Sequence, residues 1–123
     1  LYGRSLGTGV ASELASHNKC KRLILETPYY SFPSLAASHF PIYPTERMIH
    51  FKFPVFEYIQ MVKAPVTVFH GTKDEIIPYR NSRKLKKLLK AGDEYIIIEK
   101  GKHNNLNEFP FFHQKLDSLL MIN

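Results

Sequence analysis

The 123-residue chain has no tryptophan and a single cysteine, Cys20. One thiol excludes an internal disulfide, so the fold must stand on packing, and such sparse cysteine suits a reducing compartment such as the cytoplasm. Cys20 precedes the apolar run Leu23–Leu25 and reads as a packed structural thiol rather than a nucleophile. No apolar run approaches the roughly 18 residues that a membrane span requires. Metal-ligand spacing is missing as well. His17, His39, His50 and His113 have no partner at such a spacing, so neither a metal nor another cofactor is expected. There is no internal repeat, low-complexity tract or signal-peptide pattern. The chain opens on Leu1, within what reads as a strand, so the natural N-terminus is expected upstream.

What is present is a globular composition, 44% hydrophobic and 23% charged, long enough for one domain with a core. The net charge of +6 raises the question of an acidic partner. Much of the excess lies in residues 80–90, where Leu85, Leu88 and Leu89 recur at helical spacing with basic residues around them. That pattern reads as a surface helix with a solvated basic face, one that would also suit an anionic head group or membrane surface. Nucleic acid is not expected, because no aromatic stacking platform accompanies the charge.

Along the chain, residues 5–17 read as a helix, with small Ala11, Ser12 and Ala15 set between Leu6, Val10 and Leu14 so that it can lie close against a sheet. Strands are expected at 22–26, 65–70 and 94–99, each a continuous apolar or β-branched run of the kind that buried parallel strands show. Residues 29–63 break this rhythm. They hold Pro33, Pro41, Pro44 and Pro54 with many aromatics, and read as an insertion of short helices near 34–38, 46–50 and 56–61. A helix over 79–90 and an amphipathic terminal helix over 110–121, with Phe112, Leu116, Leu119 and Leu120 facing inward, complete the reading. Strands alternating with helices predict an α/β fold, a mainly parallel sheet with helices on both faces.

In such a sheet, functional residues gather at the carboxyl ends of the strands. Ser5 lies there, in Gly3-Arg4-Ser5-Leu6-Gly7, a G-x-S-x-G pattern; so do Asp74 after the strand at 65–70 and His103 after the strand at 94–99. G-x-S-x-G between a strand and a helix describes a nucleophile elbow, its glycines required where a Cβ would clash. The order serine, acid, histidine matches that of a serine-hydrolase triad on an α/β sheet, with gaps of roughly 70 and roughly 30 residues. His103 would be the base that activates Ser5, and Asp74 would orient its ring. The backbone N–H of Leu6 would donate to the oxyanion. Alternatives stay open: Ser5 as an ordinary helix cap, and Glu75 as the acid. His70 reads as packing or bonding to the acid loop. Tyr29 and Tyr30, past the strand at 22–26, would line an acyl pocket or simply pack within the insertion.

These segments, Tyr2–Gly9, Val68–Pro78 and Lys100–Asn105, resemble the C-terminal half of a serine hydrolase of the α/β-hydrolase superfamily, the first two being similar to the lysophospholipase-like and protein-depalmitoylase-like branch. All of residues 1–123 take part, as a partial domain that runs from the elbow to the terminal helix. The resemblance implies a hydrolase of carboxylic esters or thioesters working through an acyl-serine. An aminopeptidase or amidase on the same triad is the rival enzyme, and a degenerate hydrolase serving as a binding scaffold is the non-enzymatic reading. It also implies that the early strands and a second oxyanion donor lie upstream. The 123-residue piece alone is therefore expected to be inactive and poorly soluble, with a sheet edge laid open.

Overall fold

The computed structural model describes residues 1–121. Four parallel strands, β1 (Tyr2–Arg4), β2 (Leu23–Glu26), β3 (Val66–Gly71) and β4 (Glu94–Ile98), lie side by side in sequence order. The register aligns Ile24 with Tyr2 and with Thr67, and Phe69 with Ile96. Because side chains alternate across a strand, this register sorts the apolar residues into two cores. Leu23, Leu25, Val66 and Val68 pack with Ala11, Ala15, Val55, Ile59 and Leu85. Ile24, Phe69, Ile96 and Ile98 pack with Leu106, Phe112 and Leu119. Every residue of β2 and β3 is buried, and each large side chain so removed from water contributes about 1.5–3 kcal/mol. The α/β class with helices on both faces is what the sheet shows.

Helix α1 (Gly7–His17) turns its small residues inward. Thr8, Gly9, Ala11, Ser12 and Ala15 are buried, while Leu6 just before the helix, Val10 and Leu14 are about half exposed or more. The buried hydroxyl of Ser12 donates back to the Thr8 carbonyl at 2.7 Å. Residues 29–63 carry α2 (Phe32–His39), α3 (Thr45–Met48) and α4 (Val55–Met61), with no strand among them. Ser31 caps α2 by accepting from the Ser34 amide, and Pro33 sits in its first turn.

Two expectations need correction. The helix expected over 79–90 is α-helical only as α5 (Tyr79–Arg83) and continues as a 3₁₀ segment, Lys84–Leu88. The tighter winding aligns i with i+3 instead, so that Leu85 and the half-buried Leu88 share one inward line. In the terminal helix α6 (Pro110–Leu120), Phe112 and Leu119 face the core, but Leu120 is 63% exposed.

Candidate functional site

The carboxyl ends of β1, β3 and β4 bring three side chains into one line. Ser5 Oγ lies 2.9 Å from His103 Nε2, and His103 Nδ1 lies 2.9 Å from Asp74 Oδ2. A carboxylate only accepts, so Nδ1 carries the ring hydrogen and Nε2 turns its lone pair to the serine hydroxyl. Asp74 is buried; His103 keeps a small exposed edge.

Local chemistry explains each placement. Ser5 adopts φ 53°, a left-handed conformation that is uncommon outside glycine. It is held there by its amide, which donates to the Glu26 carbonyl at 2.9 Å, and by its own carbonyl, which accepts from the Thr8 amide and the Thr8 hydroxyl. The Ser5 side chain does not cap α1; its hydroxyl is directed to His103. A Cβ on Gly3 would stand 2.7 Å from both Ala11 Cβ and the Gly7 carbonyl oxygen, so β1 and α1 can cross this closely only at glycine. The same need was expected at Gly7, and there it fails: a Cβ would meet nothing within 4 Å among the described residues. Gly7 opens α1 and its missing side chain points into open space.

Asp74 divides its two oxygens. Oδ1 accepts from the amides of Ile76 at 3.0 Å and Ile77 at 2.8 Å, closing the acid loop on itself, which leaves Oδ2 for His103. Glu75 is exposed and takes no part in this pairing. The acid loop and the histidine loop are stitched together: the Lys73 amide donates to the Gly101 carbonyl, and the Lys100 amide to the Thr72 hydroxyl.

His70 braces the acid loop from below. Its fully buried ring donates from Nε2 to the Ile77 carbonyl at 2.7 Å and lies 3.5 Å from Asp74 Oδ2. Nδ1 is buried with no hydrogen-bond partner among the described residues. Burial pushes the ring below its ordinary value of 6.5, against the opposing pull of the Ile77 bond and Asp74, so the folded protein holds it neutral. A base depressed on folding contributes stability that is present above its unfolded value and lost as pH falls through the folded value, because the unfolded chain then binds the extra proton. Stability of the full-length protein should therefore drop as pH falls below about 6.5. His70→Gln, which keeps a donor for Ile77, should flatten that slope in urea titrations run at several pH values; an unchanged slope would assign it to other groups.

A clamp around the serine left almost no mark in the sequence. Arg4 Nε donates to Glu26 Oε2 at 2.9 Å, and Arg4 Nη2 to Asn104 Oδ1 at 2.8 Å; Tyr2 Oη donates to Glu26 Oε1 at 2.5 Å. The residue before Ser5 is thereby tied to the residue after His103. Burial, reinforced by the Glu26 carboxylate, drives the Tyr2 phenol upward. The visible signal was a lone glutamate closing the apolar run of β2.

Leu6 follows Ser5 directly with helical backbone angles. Tyr29 is fully buried, its hydroxyl 3.3 Å from the Leu6 carbonyl, where only glycine at position 9 leaves room for it. Tyr30 stacks on Phe56 at 4.4 Å and borders a hollow of about 370 Å³ with Ser31 and Pro54. A separate hollow of about 430 Å³ opens beside His103, between Lys73, Glu75, Lys102 and Glu108. Among the described residues no group of three or more His, Cys, Asp or Glu stands where it could hold a metal.

No protein-family model matches the chain. An uncharacterised Mycobacterium tuberculosis protein is 33% identical over 104 residues, 85% of this chain and 37% of its own length. The human alpha/beta hydrolase domain-containing protein 17C is 31% identical over 121 residues, 98% of this chain and 35% of its own. The chain thus spans a little over a third of the length of these relatives. Among solved structures, the esterase domain of a Rhodothermus marinus protein superposes with a TM-score of 0.74 at 15% identity, over 97% of this chain and 57% of that one. With a parallel sheet, a left-handed serine between β1 and α1, and these relatives over nearly its whole length, the chain belongs to the α/β-hydrolase superfamily.

Proposed function

We propose that the full-length protein is a serine hydrolase that cleaves a carboxylic ester or thioester through an acyl-serine intermediate. One observation carries this reading: the unbroken line from Ser5 Oγ through His103 to Asp74, with both separations at 2.9 Å. In the first half-reaction, Ser5 Oγ attacks the carbonyl carbon while its proton passes to His103 Nε2. Asp74 holds the ring and stabilises the imidazolium that forms. The N–H of Leu6 donates to the oxyanion. The carbon–oxygen or carbon–sulfur bond then breaks, and the proton on Nε2 goes to the departing alkoxide or thiolate. Water repeats the sequence on the acyl-serine, returning Ser5 and releasing a carboxylic acid. The aromatic insertion favours an apolar acyl group.

The human relative, an alpha/beta hydrolase domain-containing protein, and the Rhodothermus marinus esterase domain whose fold this chain shares support a hydrolase. The test is a substrate panel on the full-length protein: short and long p-nitrophenyl esters, an acyl thioester and an aminoacyl amide. Ester or thioester turnover rising with acyl length is the expected result. Preference for the amide would move the protein to the aminopeptidase class. Good cleavage of short esters alone would remove the apolar pocket from the proposal, and no turnover with any substrate would favour a binding scaffold.

A further inference from the structure

Residues 40–51 leave the body of the protein as an excursion whose large apolar side chains point away from it. Ile42 is 86% exposed and Phe51 75%, and Phe40, Tyr43 and Met48 are each more than half exposed. The excursion is nevertheless tied at both ends. Before it, His39 Nε2 donates to the Ile76 carbonyl of the acid loop at 2.8 Å. After it, the Lys52 carbonyl accepts from the Phe32 amide at 2.8 Å. The apolar tip is thus a fixed projection near the carboxyl ends of the strands. Its one carboxylate, Glu46, is paired with Lys52 at 2.9 Å.

A basic surface adjoins its base. Between residues 79 and 90 there are six cationic side chains and no acidic one. Among the described residues Arg80, Arg83, Lys84, Lys86 and Lys87 have no acidic partner within 4 Å, whereas Lys90 pairs with Asp93. These five line an open hollow of about 550 Å³ whose far wall is Ser38 of α2. The two surfaces are rigidly joined. Asn81 Nδ2 donates to the hydroxyls of Ser34 and Ser38, and Lys84 Nζ to that of Ser34 at 2.9 Å.

We propose that the 40–51 excursion and the basic 79–90 segment together form a docking face for an anionic lipid bilayer. Aromatic and aliphatic tips beside unpaired cations match what an interface of acyl chains beneath anionic head groups presents. A second copy of the chain fits poorly, because each carries a net charge of +6 and the like-charged faces repel. An acidic protein would satisfy the cations, but it gives the exposed apolar tips of residues 40–51 no acyl layer to enter. The inference does not depend on the chemistry proposed for Ser5, and its measurement reads binding, so the two can fail separately.

The test is co-sedimentation of full-length protein with phosphatidylcholine vesicles, with and without phosphatidylserine. Binding should require phosphatidylserine and weaken with added salt. Replacing both Lys86→Gln and Lys87→Gln should weaken it about thirtyfold, and replacing both Phe40→Ser and Ile42→Ser about tenfold. Replacing both Lys21→Gln and Lys115→Gln removes the same charge elsewhere and should leave binding near that of the parent. Unchanged circular dichroism and thermal midpoint would show that each variant is folded. Binding that ignores phosphatidylserine, survives both test variants, or falls equally in the control would overturn the proposal. Charge-dependent binding untouched by Phe40→Ser and Ile42→Ser would also overturn it, because the cations alone would then suffice, as they would for an acidic protein.

Discussion

Ser5→Ala in the full-length protein is expected to lower kcat by about 10⁵–10⁶-fold without lowering the thermal midpoint, and His103→Ala to match it. The double variant should be no worse than either single one, because a nucleophile without its base and a base without its nucleophile are equally idle. Asp74→Asn provides the sharper structural test. Oδ1 of Asp74 accepts from two backbone amides, at Ile76 and Ile77, so an asparagine would place its carbonyl oxygen there and keep the acid loop closed. Its NH₂ would then face His103 Nδ1, where Oδ2 now lies 2.9 Å away. Two donors cannot share that position. The ring would move its hydrogen to Nε2 and present a donor, not an acceptor, to Ser5. A loss of about 10⁴-fold follows with the fold intact. Labelling by a fluorophosphonate should track the same series, strong in the parent and absent in Ser5→Ala. A parent that labels no faster than Ser5→Ala would mean that Ser5 is not activated, and the hydrolase reading would fall.

Strand ends were the most legible part of this fold, because a continuous apolar run leaves a plain mark whether the strand is buried on both faces, as β2 and β3 are, or mainly on one, as β4 is. The continuous apolar runs at Leu23–Leu25, Val66–Phe69 and Tyr95–Ile98 stand out in the sequence, and the residues just beyond them are fixed in position by the sheet. That is why Asp74 and His103 were legible, whereas Ser5, after the short and partly exposed β1, was marked by its G-x-S-x-G pattern. Contacts between loops were not legible. Arg4 reaches Asn104 across 100 positions, and no local pattern predicts that a charged residue beside Ser5 will meet an asparagine there. Helical spacing misled at 79–90, since Leu85 and Leu88 stand three apart, a spacing that a 3₁₀ turn serves as well as an α-helix does. It also misled at Leu120, where the period continues after the core has ended. Glycines showed a further limit: Gly3 and Gly7 look alike in the motif, and only packing reveals that the first is crowded and the second open.

Gly71→Ala should be the most damaging single-methyl change in the chain. Gly71 ends β3 opposite Ile98, and a Cβ there would stand 2.2 Å from the Gly101 carbonyl oxygen, 2.4 Å from its carbon and 2.9 Å from its Cα. All three are backbone atoms, so no side-chain rotation relieves the clash; one strand end must move. The bonds that join these ends, from the Lys73 amide to the Gly101 carbonyl and from the Thr72 amide to the Ile98 carbonyl, would be strained or lost. Overpacking of this kind costs about 1–3 kcal/mol, and more where the backbone cannot yield. Function should suffer beyond stability. Asp74 lies three residues after Gly71 and His103 two after Gly101, so pushing the two loops apart stretches the 2.9 Å bond between those side chains. A displacement of about 1 Å at such a site costs about a hundredfold in rate. Gly7→Ala is the matched control. Its methyl meets nothing within 4 Å among the described residues, and removing a glycine from a helical turn should leave stability equal or raise it by about 0.4–1 kcal/mol. If Gly71→Ala kept both the thermal midpoint and kcat of the parent, the close approach of β3 to the histidine loop would not be what fixes His103 against Asp74.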